Sequence, residues 1–392
     1  MRILVLGDAG AMARVAVRDL LDSEGVQRVG LADLNLEKVR EISDGLHDDR
    51  VEGLQADARD TENLTRIMSG WDAVINSTWY ELNLKVMRSA IRAGVHYVDL
   101  GGLYHTTLKQ LVMDRDAKDA GVTCILGLGS SPGVTNLMAA YGANKMSEIS
   151  AVKIRVGGAD NKPAPGFFNP PYSFRTIIDE ACMPAAILRA GKVEMVPGLS
   201  VKEEFVLPDP VGKVEGYYTL HSELATLPQN LGKGIQSMDF IVAFSPEFSK
   251  SVSLLVRLGL AGKEEVDLPG GKVVPYELLT RLVDALPRPS EEAVDFGVRR
   301  VELIGDKEGK KSRLVYDCVS GPHSKWQIGG RSLGTGVPVS LGAQWLARGS
   351  VKGTGVLPPE LAIEPERFLH ELGTDGRGII VYEDDGTARR HL

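Results

Sequence analysis

Short apolar runs alternate with longer amphipathic stretches over the first 130 residues. The apolar runs predict strands, at Arg2–Leu6, Arg28–Ala32, Gly53–Ala56, Ala73–Asn76, Tyr97–Leu100 and Thr123–Leu126. Between and after them, apolar residues recur at helical spacing, at Ala11–Leu21, Leu36–Leu46, Thr61–Met68, Leu84–Ala93, Leu108–Ala120 and Val134–Lys145. Repeated strand–helix units predict an α/β fold, a doubly wound parallel sheet with helices on both faces.

The pattern changes after Ser147, where strand-like runs cluster together. We expect strands at Val152–Val156, Phe240–Phe244, Lys250–Gly259, Arg299–Ile304 and Arg313–Val319, and a helix at Tyr276–Leu286. The turn-rich segment Gly305–Lys310 predicts a hairpin. Helical patterns return at Val339–Arg348 and Pro365–Glu371, before a strand-like run at Gly378–Tyr382. The sequence therefore divides into residues 1–130, an α+β region at 131–330, and a C-terminal region at 331–392.

Charge and composition narrow the classes of partner. The 392 residues contain 45 Lys and Arg against 52 Asp and Glu, a net charge of −7, without a basic block. We therefore expect a small-molecule substrate, and neither nucleic acid nor a membrane surface as partner. Nothing in the sequence resembles a secretory signal or a membrane span. Three scattered cysteines without metal-ligand spacing predict a cytoplasmic protein with reduced thiols and no metal site.

A glycine-containing loop joins the first predicted strand to the first predicted helix. It consists of Gly7, Asp8, Ala9, Gly10, Ala11, Met12 and Ala13, a GxxGxxA variant of the dinucleotide fingerprint. Gly7 would permit the tight turn, Gly10 would let backbone N–H groups approach a pyrophosphate, and Ala13 would keep the helix close to the sheet. The helix N-terminus then faces the pyrophosphate. A purely structural glycine turn is the alternative.

Asp33 lies twenty residues after Ala13, at the end of the second predicted strand. A carboxylate there can accept hydrogen bonds from the adenosine ribose and repels a 2′-phosphate, which favours NAD over NADP as cofactor. A helix cap or a turn is the alternative role for Asp33. Asp57, after the third strand, is a weaker candidate for an adenine contact. The polar residues that end the fourth strand are candidates for the nicotinamide ribose: Asn76, Ser77 and Thr78.

The fifth and sixth predicted strands end in glycine-rich segments, Asp99–His105 and Gly127–Asn136. Their ends meet the cofactor crevice, where Gly101 and Gly102 would allow a substrate to approach the backbone. The helix that begins near Pro132 would attract a substrate carboxylate. The expected substrate-binding residues here are Gly101, Gly102, Ser131, Pro132, Gly133 and Asn136.

Seven short motifs follow one another in a specific order, at Ala93–Gly102, Ser131–Asn136, Ala190–Pro197, His221–Ser222, Thr226–Pro228, Gly334–Pro338 and Gly355–Glu360. This order resembles the saccharopine dehydrogenase-like family, and within it looks closest to the L-lysine 6-dehydrogenases. The resemblance implies a Rossmann domain with an inserted α+β substrate and dimerisation domain, C-terminal helices that return to the Rossmann domain, and a homodimer or higher homo-oligomer. Arg175 lies where the family usually has uncharged residues.

The resemblance implies an NAD(P)-dependent oxidoreductase that removes hydride from an amine-bearing carbon. The substrate ammonium must first lose a proton, so a base is needed, and the candidates are Asp99, Tyr104, His105 and His221. Arg175 and the hydroxyl of Thr335 are candidate anchors for a substrate carboxylate. The leading hypothesis is oxidative deamination of L-lysine at its side-chain amine, giving a semialdehyde and its cyclic imine. Saccharopine-type chemistry on a secondary amine and a non-catalytic NAD sensor are the alternatives.

Overall fold

The computed structural model describes residues 1–7, 10–160, 168–286, 294–374 and 376–392. Its strands are β1 (Arg2–Leu6), β2 (Arg28–Asp33), β3 (Val51–Gln55), β4 (Ala73–Asn76), β5 (His96–Asp99), β6 (Thr123–Ile125), β7 (Glu148–Asp160), β8 (Ala185–Arg189), β9 (Lys192–Val196), β10 (Lys202–Val206), β11 (Lys213–Tyr218), β12 (Ser237–Val242), β13 (Val266–Leu268), β14 (Gly271–Val273), β15 (Asp295–Lys307), β16 (Lys310–Ser320), β17 (Gly355–Leu357), β18 (Ile379–Asp384) and β19 (Arg389–His391).

The described α-helices are α1 (Ala11–Asp22), α2 (Leu36–Leu46), α3 (Thr61–Met68), α4 (Asn83–Ala93), α5 (Tyr104–Leu111), α6 (Asp114–Asp119), α7 (Val134–Asn144), α8 (Phe174–Cys182), α9 (Glu223–Leu231), α10 (Pro246–Arg257), α11 (Pro275–Asp284), α12 (Gly330–Ala347), α13 (Pro359–Ala362) and α14 (Pro365–Leu372). A short 3₁₀ helix covers Tyr80–Leu82. Among the described residues, no helix combines the length and the apolar character that a bilayer span requires.

The first sheet is parallel, with the strand order β3-β2-β1-β4-β5-β6-β17. Both of its faces are covered, because alternate side chains of β1 enter two separate hydrophobic cores: Ile3 and Val5 enter one, and Leu4 and Leu6 enter the other. The strand order reverses direction between β1 and β4, and ligands of open α/β sheets bind beyond the carboxyl ends of the strands at such a point. The expected Rossmann domain is confirmed.

The second sheet is mixed, with the strand order β10-β11-β12-β7-β15-β16-β18-β19, and β8 and β9 attach to it beside β12. Strands β7 and β12 are parallel, whereas the long hairpin of β15 and β16 is antiparallel. Glu308 and Gly309 form its turn with φ angles of 55° and 80°, as the turn signal predicts. The expected α+β region is thus confirmed.

The C-terminal region contributes to both sheets. Helix α12 packs on α1, where a Cβ on Gly336 would lie 2.4 Å from Cβ of Val15, so only glycine allows this approach. Strand β17 pairs with β6 at the edge of the parallel sheet, and β18 pairs with β16 in the mixed sheet. The division at residue 331 is therefore less simple than the sequence pattern indicates, because the last strands extend the second domain.

The expected strand at Lys250–Gly259 is wrong, since this segment belongs to helix α10. The Ser245 side chain accepts a hydrogen bond from the Phe248 N–H, and Pro246 occupies the first turn, a typical helix start. Phe248 and Val252 are buried one turn apart, so the apolar residues follow the helical period. The predicted helix at Leu108–Ala120 is divided into α5 and α6.

Candidate active site

The glycine loop after β1 has the backbone that a dinucleotide site requires. Gly7 has a φ angle of 85°, and a Cβ there would lie 3.1 Å from the backbone of Ser77 and Thr78. Helix α1 begins at Ala11, and no side chain of the described residues caps its N-terminus. Its first N–H groups are therefore available to an anion. Asp8 and Ala9 lie outside the described residues, and Ala13 is buried, as its packing role requires.

The polar residues at the end of β4 hold this loop in place. The Ser77 hydroxyl donates to the carbonyl oxygens of Leu6 and Gly7, at 2.9 and 3.1 Å. Asn76 is buried, and its amide nitrogen donates to Asn83 Oδ1 at 2.8 Å and to the Tyr97 hydroxyl oxygen at 2.9 Å. Its Oδ1 accepts hydrogen bonds from Thr78. The Asn76 side chain is therefore held by hydrogen bonds within the domain, and its expected contact with the ribose stays a prediction.

Asp33 ends β2 and remains half-buried, with Oδ1 3.3 Å from the Asn35 N–H. Asn35, and not Asp33, caps α2, because its side chain accepts from the Lys38 N–H. Asp33 is therefore not the cap of α2, and its contact with the Asn35 N–H has the geometry of the turn that is the other alternative for this residue. Both oxygens of Asp57 bind Arg59, at 2.9 Å each, which lowers the pKa of Asp57 and occupies the side chain that was expected near adenine.

Asp99 is fully enclosed below the crevice. Its Oδ1 accepts from the N–H groups of Gly101 and Gly127 at 2.9 and 2.7 Å, and its Oδ2 accepts from the Tyr97 hydroxyl and the Gln110 amide at 2.9 and 2.7 Å. Burial raises the pKa of Asp99. Four donors therefore bind a carboxylate that has no exposed surface, so the expectation of a base or ammonium partner is wrong. Asp99 instead joins the loops after β5 and β6.

The glycines of these loops admit Pro132, which packs directly against the backbone. A Cβ on Gly101 or Gly127 would lie 2.6 or 2.7 Å from Pro132 Cγ, so both positions must be glycine. The Gly133 N–H donates to Asn136 Oδ1 at 3.1 Å, and Asn136 donates to Glu360 at 2.9 Å. These residues therefore shape the start of α7.

Two other residues expected to bind the substrate, Gly102 and Thr335, contact residues of the protein itself. A Cβ on Gly102 would meet the side chain of Thr106, at 2.8 Å. The Thr335 hydroxyl donates to the Arg331 carbonyl within its own helix, at 3.3 Å, and its methyl group faces Gly129. Both positions contribute to packing around the crevice.

A cluster of ionisable groups lies on the side of the crevice opposite the glycine loop. His221 Nδ1 is 2.5 Å from Glu223 Oε2, and its Nε2 is 3.8 Å from Glu180 Oε1. The imidazole stacks on Phe240 at 3.9 Å between ring centroids. Glu180, His221 and Glu223 are all buried, and they come from α8, the segment before α9, and the first turn of α9. We call these three residues the carboxylate–histidine cluster.

The Rossmann domain supplies hydroxyl groups to this cluster. Ser131 and Thr135 donate to Glu223 Oε1 at 2.6 and 2.8 Å. On its other side, the Tyr172 hydroxyl donates to Glu180 Oε2 at 2.5 Å. Ser131 follows β6, so these bonds place the cluster at the carboxyl edge of the parallel sheet. Of the expected site residues, Ser131 and His221 are brought together here.

The charges of the cluster shift one another's ionisation. Burial opposes protonation of His221, but the nearby Glu223 and Glu180 outweigh it and raise its pKa. Burial raises the pKa of Glu180 to about 7, against the opposing effects of His221 and of the Tyr172 hydroxyl. Burial also disfavours the Glu223 carboxylate, yet His221 and Ser131 lower its pKa overall. Glu223 is thus the permanent anion, and Glu180 exchanges its proton near neutral pH.

Asp179 is a further buried carboxylate, next to Glu180 on α8. Asp179 accepts from the hydroxyls of Tyr80 and Tyr276, at 2.8 and 3.1 Å, and its Oδ1 is 3.1 Å from Lys263 Nζ. Lys263 also lies 3.5 Å from Glu81. Tyr80 follows β4, so Asp179 joins the two domains across the crevice.

The remaining expected residues lie away from the carboxylate–histidine cluster. Arg175 pairs with Glu277 at 2.9 Å and lies over the rings of Trp79 and Tyr276. Its guanidinium therefore already has a carboxylate partner, which argues against a role as the substrate anchor. Tyr104 and His105 begin α5, where His105 is exposed and contacts the Tyr104 ring edge-on.

Sequence reasoning missed Asp179, Glu180 and Glu223. A signal for the first two was present, because they are charged residues within the apolar run Ile177–Cys182, on the buried side of a helix. Charged residues are rarely buried without a partner, so such a pair indicates a polar site. Glu223 lies two residues after His221, and nothing in that spacing alone indicates a contact.

Comparisons with known proteins agree with this architecture. A doubly wound parallel sheet with a glycine turn after its first strand has the architecture of a dinucleotide-binding domain. Residues 3–125 match the saccharopine dehydrogenase NADP binding domain, and residues 129–377 match the saccharopine dehydrogenase C-terminal domain. The chain belongs to the saccharopine dehydrogenase family, whose reactions act on the C–N bonds of amines.

Two curated relatives are similar along nearly their whole length. The carboxyaminopropylagmatine dehydrogenase of Synechocystis sp. is 24% identical, over 96% of both chains. The carboxynorspermidine synthase of Vibrio cholerae is 26% identical, over 98% of this chain and 97% of the relative.

Two solved structures share the fold. The saccharopine dehydrogenase (L-Glu forming) of Saccharomyces cerevisiae has a TM-score of 0.75 at 16% identity, covering 98% of this chain and 99% of that one. The homospermidine synthase of Legionella pneumophila, in complex with NAD, has a TM-score of 0.71 at 13% identity, covering 99% and 92%.

Proposed function

We propose that the protein catalyses the NAD(P)-linked oxidation of a secondary amine that carries a carboxylate, and the reverse condensation. In the oxidative direction the substrate ammonium loses one proton, and its C–H bond then gives a hydride to the cofactor. The resulting C=N bond is hydrolysed by water to an aldehyde and a primary amine. This is the saccharopine-type alternative that the sequence offered beside lysine deamination.

The carboxylate–histidine cluster is the observation that carries the proposal. An alkylammonium has a pKa near 10.4 in water and has no free electron pair, so a base must remove its proton before hydride leaves. Glu223 binds His221 Nδ1, which fixes that nitrogen as a donor and leaves Nε2 facing Glu180. His221 and Glu180 are therefore arranged to take the proton and pass it on.

The carboxylates at the crevice outnumber their cationic neighbours, which favours a substrate with a cationic nitrogen. Glu180, Glu223 and Asp179 are buried together, and His221 and Lys263 are their cationic neighbours. The compounds in the names of the two relatives, carboxyaminopropylagmatine and carboxynorspermidine, combine a carboxylate with several basic nitrogens. These features support a secondary amine over L-lysine, the leading hypothesis from the sequence.

The residues around the glycine loop fit a dinucleotide. Gly7 gives the cavity that a Cβ would fill, and the first amides of α1 have no side-chain cap among the described residues. When bound, nicotinamide supplies the hydride acceptor. We propose NAD as the preferred form, because the Asp33 carboxylate is placed to bind ribose hydroxyls and to repel a 2′-phosphate. The matching domain family is described as NADP-binding, so both cofactors belong in the assay.

A substrate panel tests the proposed function. Reduction of NAD and of NADP is followed at 340 nm with carboxynorspermidine, saccharopine or L-lysine as substrate. We expect turnover of at least one secondary amine and a kcat/KM for L-lysine that is lower by about tenfold or more. Turnover of L-lysine without either secondary amine would restore the lysine hypothesis. Nucleotide binding without turnover of any amine would favour a sensor.

A further inference from the structure

Arg299 is a buried cation on β15, outside the carboxylate–histidine cluster. Only 3% of its surface is exposed. Its Nε donates to the Ser130 hydroxyl, and its Nη1 donates to the Ser320 hydroxyl at 2.5 Å and to the Gly297 carbonyl at 3.3 Å. The guanidinium therefore spans both domains, since Ser130 follows β6 of the Rossmann domain.

Within the described ranges no carboxylate pairs directly with this charge, although the charge of Asp295 favours the protonated guanidinium. None of their Asp or Glu side chains forms an ion pair with Arg299. The Cys318 thiol is close, but burial raises its pKa to about 11, so it is neutral at pH 7. Asp295 accepts a hydrogen bond from the Arg331 N–H and faces the Arg331 guanidinium. A buried charge without a partner is costly, and proteins rarely keep one without a use.

The guanidinium packs directly against glycine backbone on the side of Nη2. A Cβ on Gly334 would lie 2.3 Å from Arg299 Nη2, and one on Gly297 would lie 3.0 Å from the same nitrogen. Nη2 has no oxygen acceptor among the described residues. The Cys318 thiol is a hydrogen-bond neighbour of the guanidinium, and Nη2 is the nitrogen that meets no oxygen in the described part of the chain and can donate to a carboxylate in a charge-assisted pair.

Arg299 and the carboxylate–histidine cluster meet the same loop from opposite sides. Ser130 accepts from Arg299, and the next residue, Ser131, donates to Glu223. This loop follows β6 at the carboxyl edge of the parallel sheet. One cationic and one anionic group thus flank a single dipeptide, which matches a substrate with a carboxylate at one end and ammonium groups at the other.

We propose that Arg299 binds the carboxylate of the substrate and so selects carboxylated amines over their decarboxylated analogues. This inference rests on the proposed function and adds a specificity residue to it. It also replaces Arg175, whose charge is already paired with Glu277, as the anchor expected from the sequence.

The test compares one substrate with and without its carboxylate. Steady-state rates are measured with carboxynorspermidine and with norspermidine, for the unmodified protein and for Arg299→Gln. We expect the unmodified protein to prefer carboxynorspermidine, and Arg299→Gln to lower kcat/KM for it by roughly 10- to 150-fold, the range for a lost charged hydrogen bond. The loss appears chiefly in KM. Norspermidine should be affected by less than about threefold, and Arg299→Lys should recover part of the preference.

Arg155 provides a matched control, because it is equally buried but pairs with Glu203 and Asp239 in the same sheet. Arg155→Gln should change both substrates by the same factor. If Arg299→Gln lowered kcat/KM for both substrates by the same factor, Arg299 would have only a structural role and the inference would be overturned. Equal kcat/KM values of the unmodified protein for the two amines would also overturn the inference, and that measurement needs no variant. Absence of all secondary-amine turnover would instead remove the proposed function itself.

Discussion

The two sides of the crevice recognise their ligands by different means. On the Rossmann side, the glycine loop presents backbone N–H groups, and a half-buried carboxylate, Asp33, lies at the end of β2. On the other side, Glu180, His221 and Glu223 are buried side chains whose ionisation depends on one another. We therefore expect cofactor binding to depend on local backbone shape, and the proposed chemistry to depend on charges that distant segments bring together. Variants on one side should leave the function of the other nearly intact.

His221→Asn should have the largest effect, because it removes the imidazole between two carboxylates. We expect kcat/KM to fall by roughly 10²- to 10⁴-fold, the usual contribution of a positioned acid or base. The affinity for NADH, measured by fluorescence titration, should stay within about twofold. His105→Asn changes the exposed histidine that the sequence also offered as a base and should have little effect on either quantity. A larger loss from His105→Asn would transfer the proton-transfer role to α5.

The pH dependence should show a smaller effect. Because burial raises the pKa of Glu180 to about 7, its carboxylate form predominates above that pH. The rate of amine oxidation should therefore rise with pH through about 7. Glu180→Gln should abolish this rise and lower activity at pH 8 by roughly tenfold.

Tyr172→Phe tests the role of Glu180 by shifting the pKa of its carboxyl group instead of removing that group. The Tyr172 hydroxyl bonds Glu180 Oε2 and lowers its pKa, so its removal should move the rise in rate to higher pH. A pH profile that is identical in all three proteins would exclude Glu180 from the proton path.

The smallest effect is expected on the cofactor side. Asp33→Ala removes a carboxylate that is placed for ribose and should reduce the preference for NAD over NADP by roughly tenfold. The amine preference and the pH profile should not change. An unaltered ratio of kcat/KM for the two cofactors would show that Asp33 does not select the nucleotide.

The same contrast explains what could be predicted from the sequence. The strand–helix units of the Rossmann domain and the turn at Gly7 are set by neighbouring residues, so their pattern is visible in a short window. In the second domain, β9 and β10 are short and largely exposed, so no buried apolar run marks them, although Val193 and Met195 alternate with charged residues in β9. The segment that forms α10 is ambiguous in sequence, because Ser251, Val252 and Ser253 alternate as in a strand, whereas Ser245 and Pro246 form a typical helix start.

The candidate site was predictable only in part, for the same reason. Ser131 follows from its position after the sixth predicted strand, and His221 follows from the resemblance to a family. The roles that we propose for Glu180 and Arg299 depend on contacts with residues far away in the chain, which a single sequence does not show. Asp99 shows the opposite error, since a carboxylate at the end of a strand has the position of a ligand-binding residue but is enclosed by four donors.

The way in which the chain passes between its two sheets has a consequence for biosynthesis. Until β17 is made, β6 is an open edge of the parallel sheet, and until α12 is made, one face of α1 is uncovered. The mixed sheet likewise ends at β16 until β18 emerges from the ribosome. Unpaired edges and uncovered apolar faces invite aggregation. Neither half can therefore mature separately during translation, and the loss of even the last fifteen residues should damage a nascent protein more than their exposure indicates.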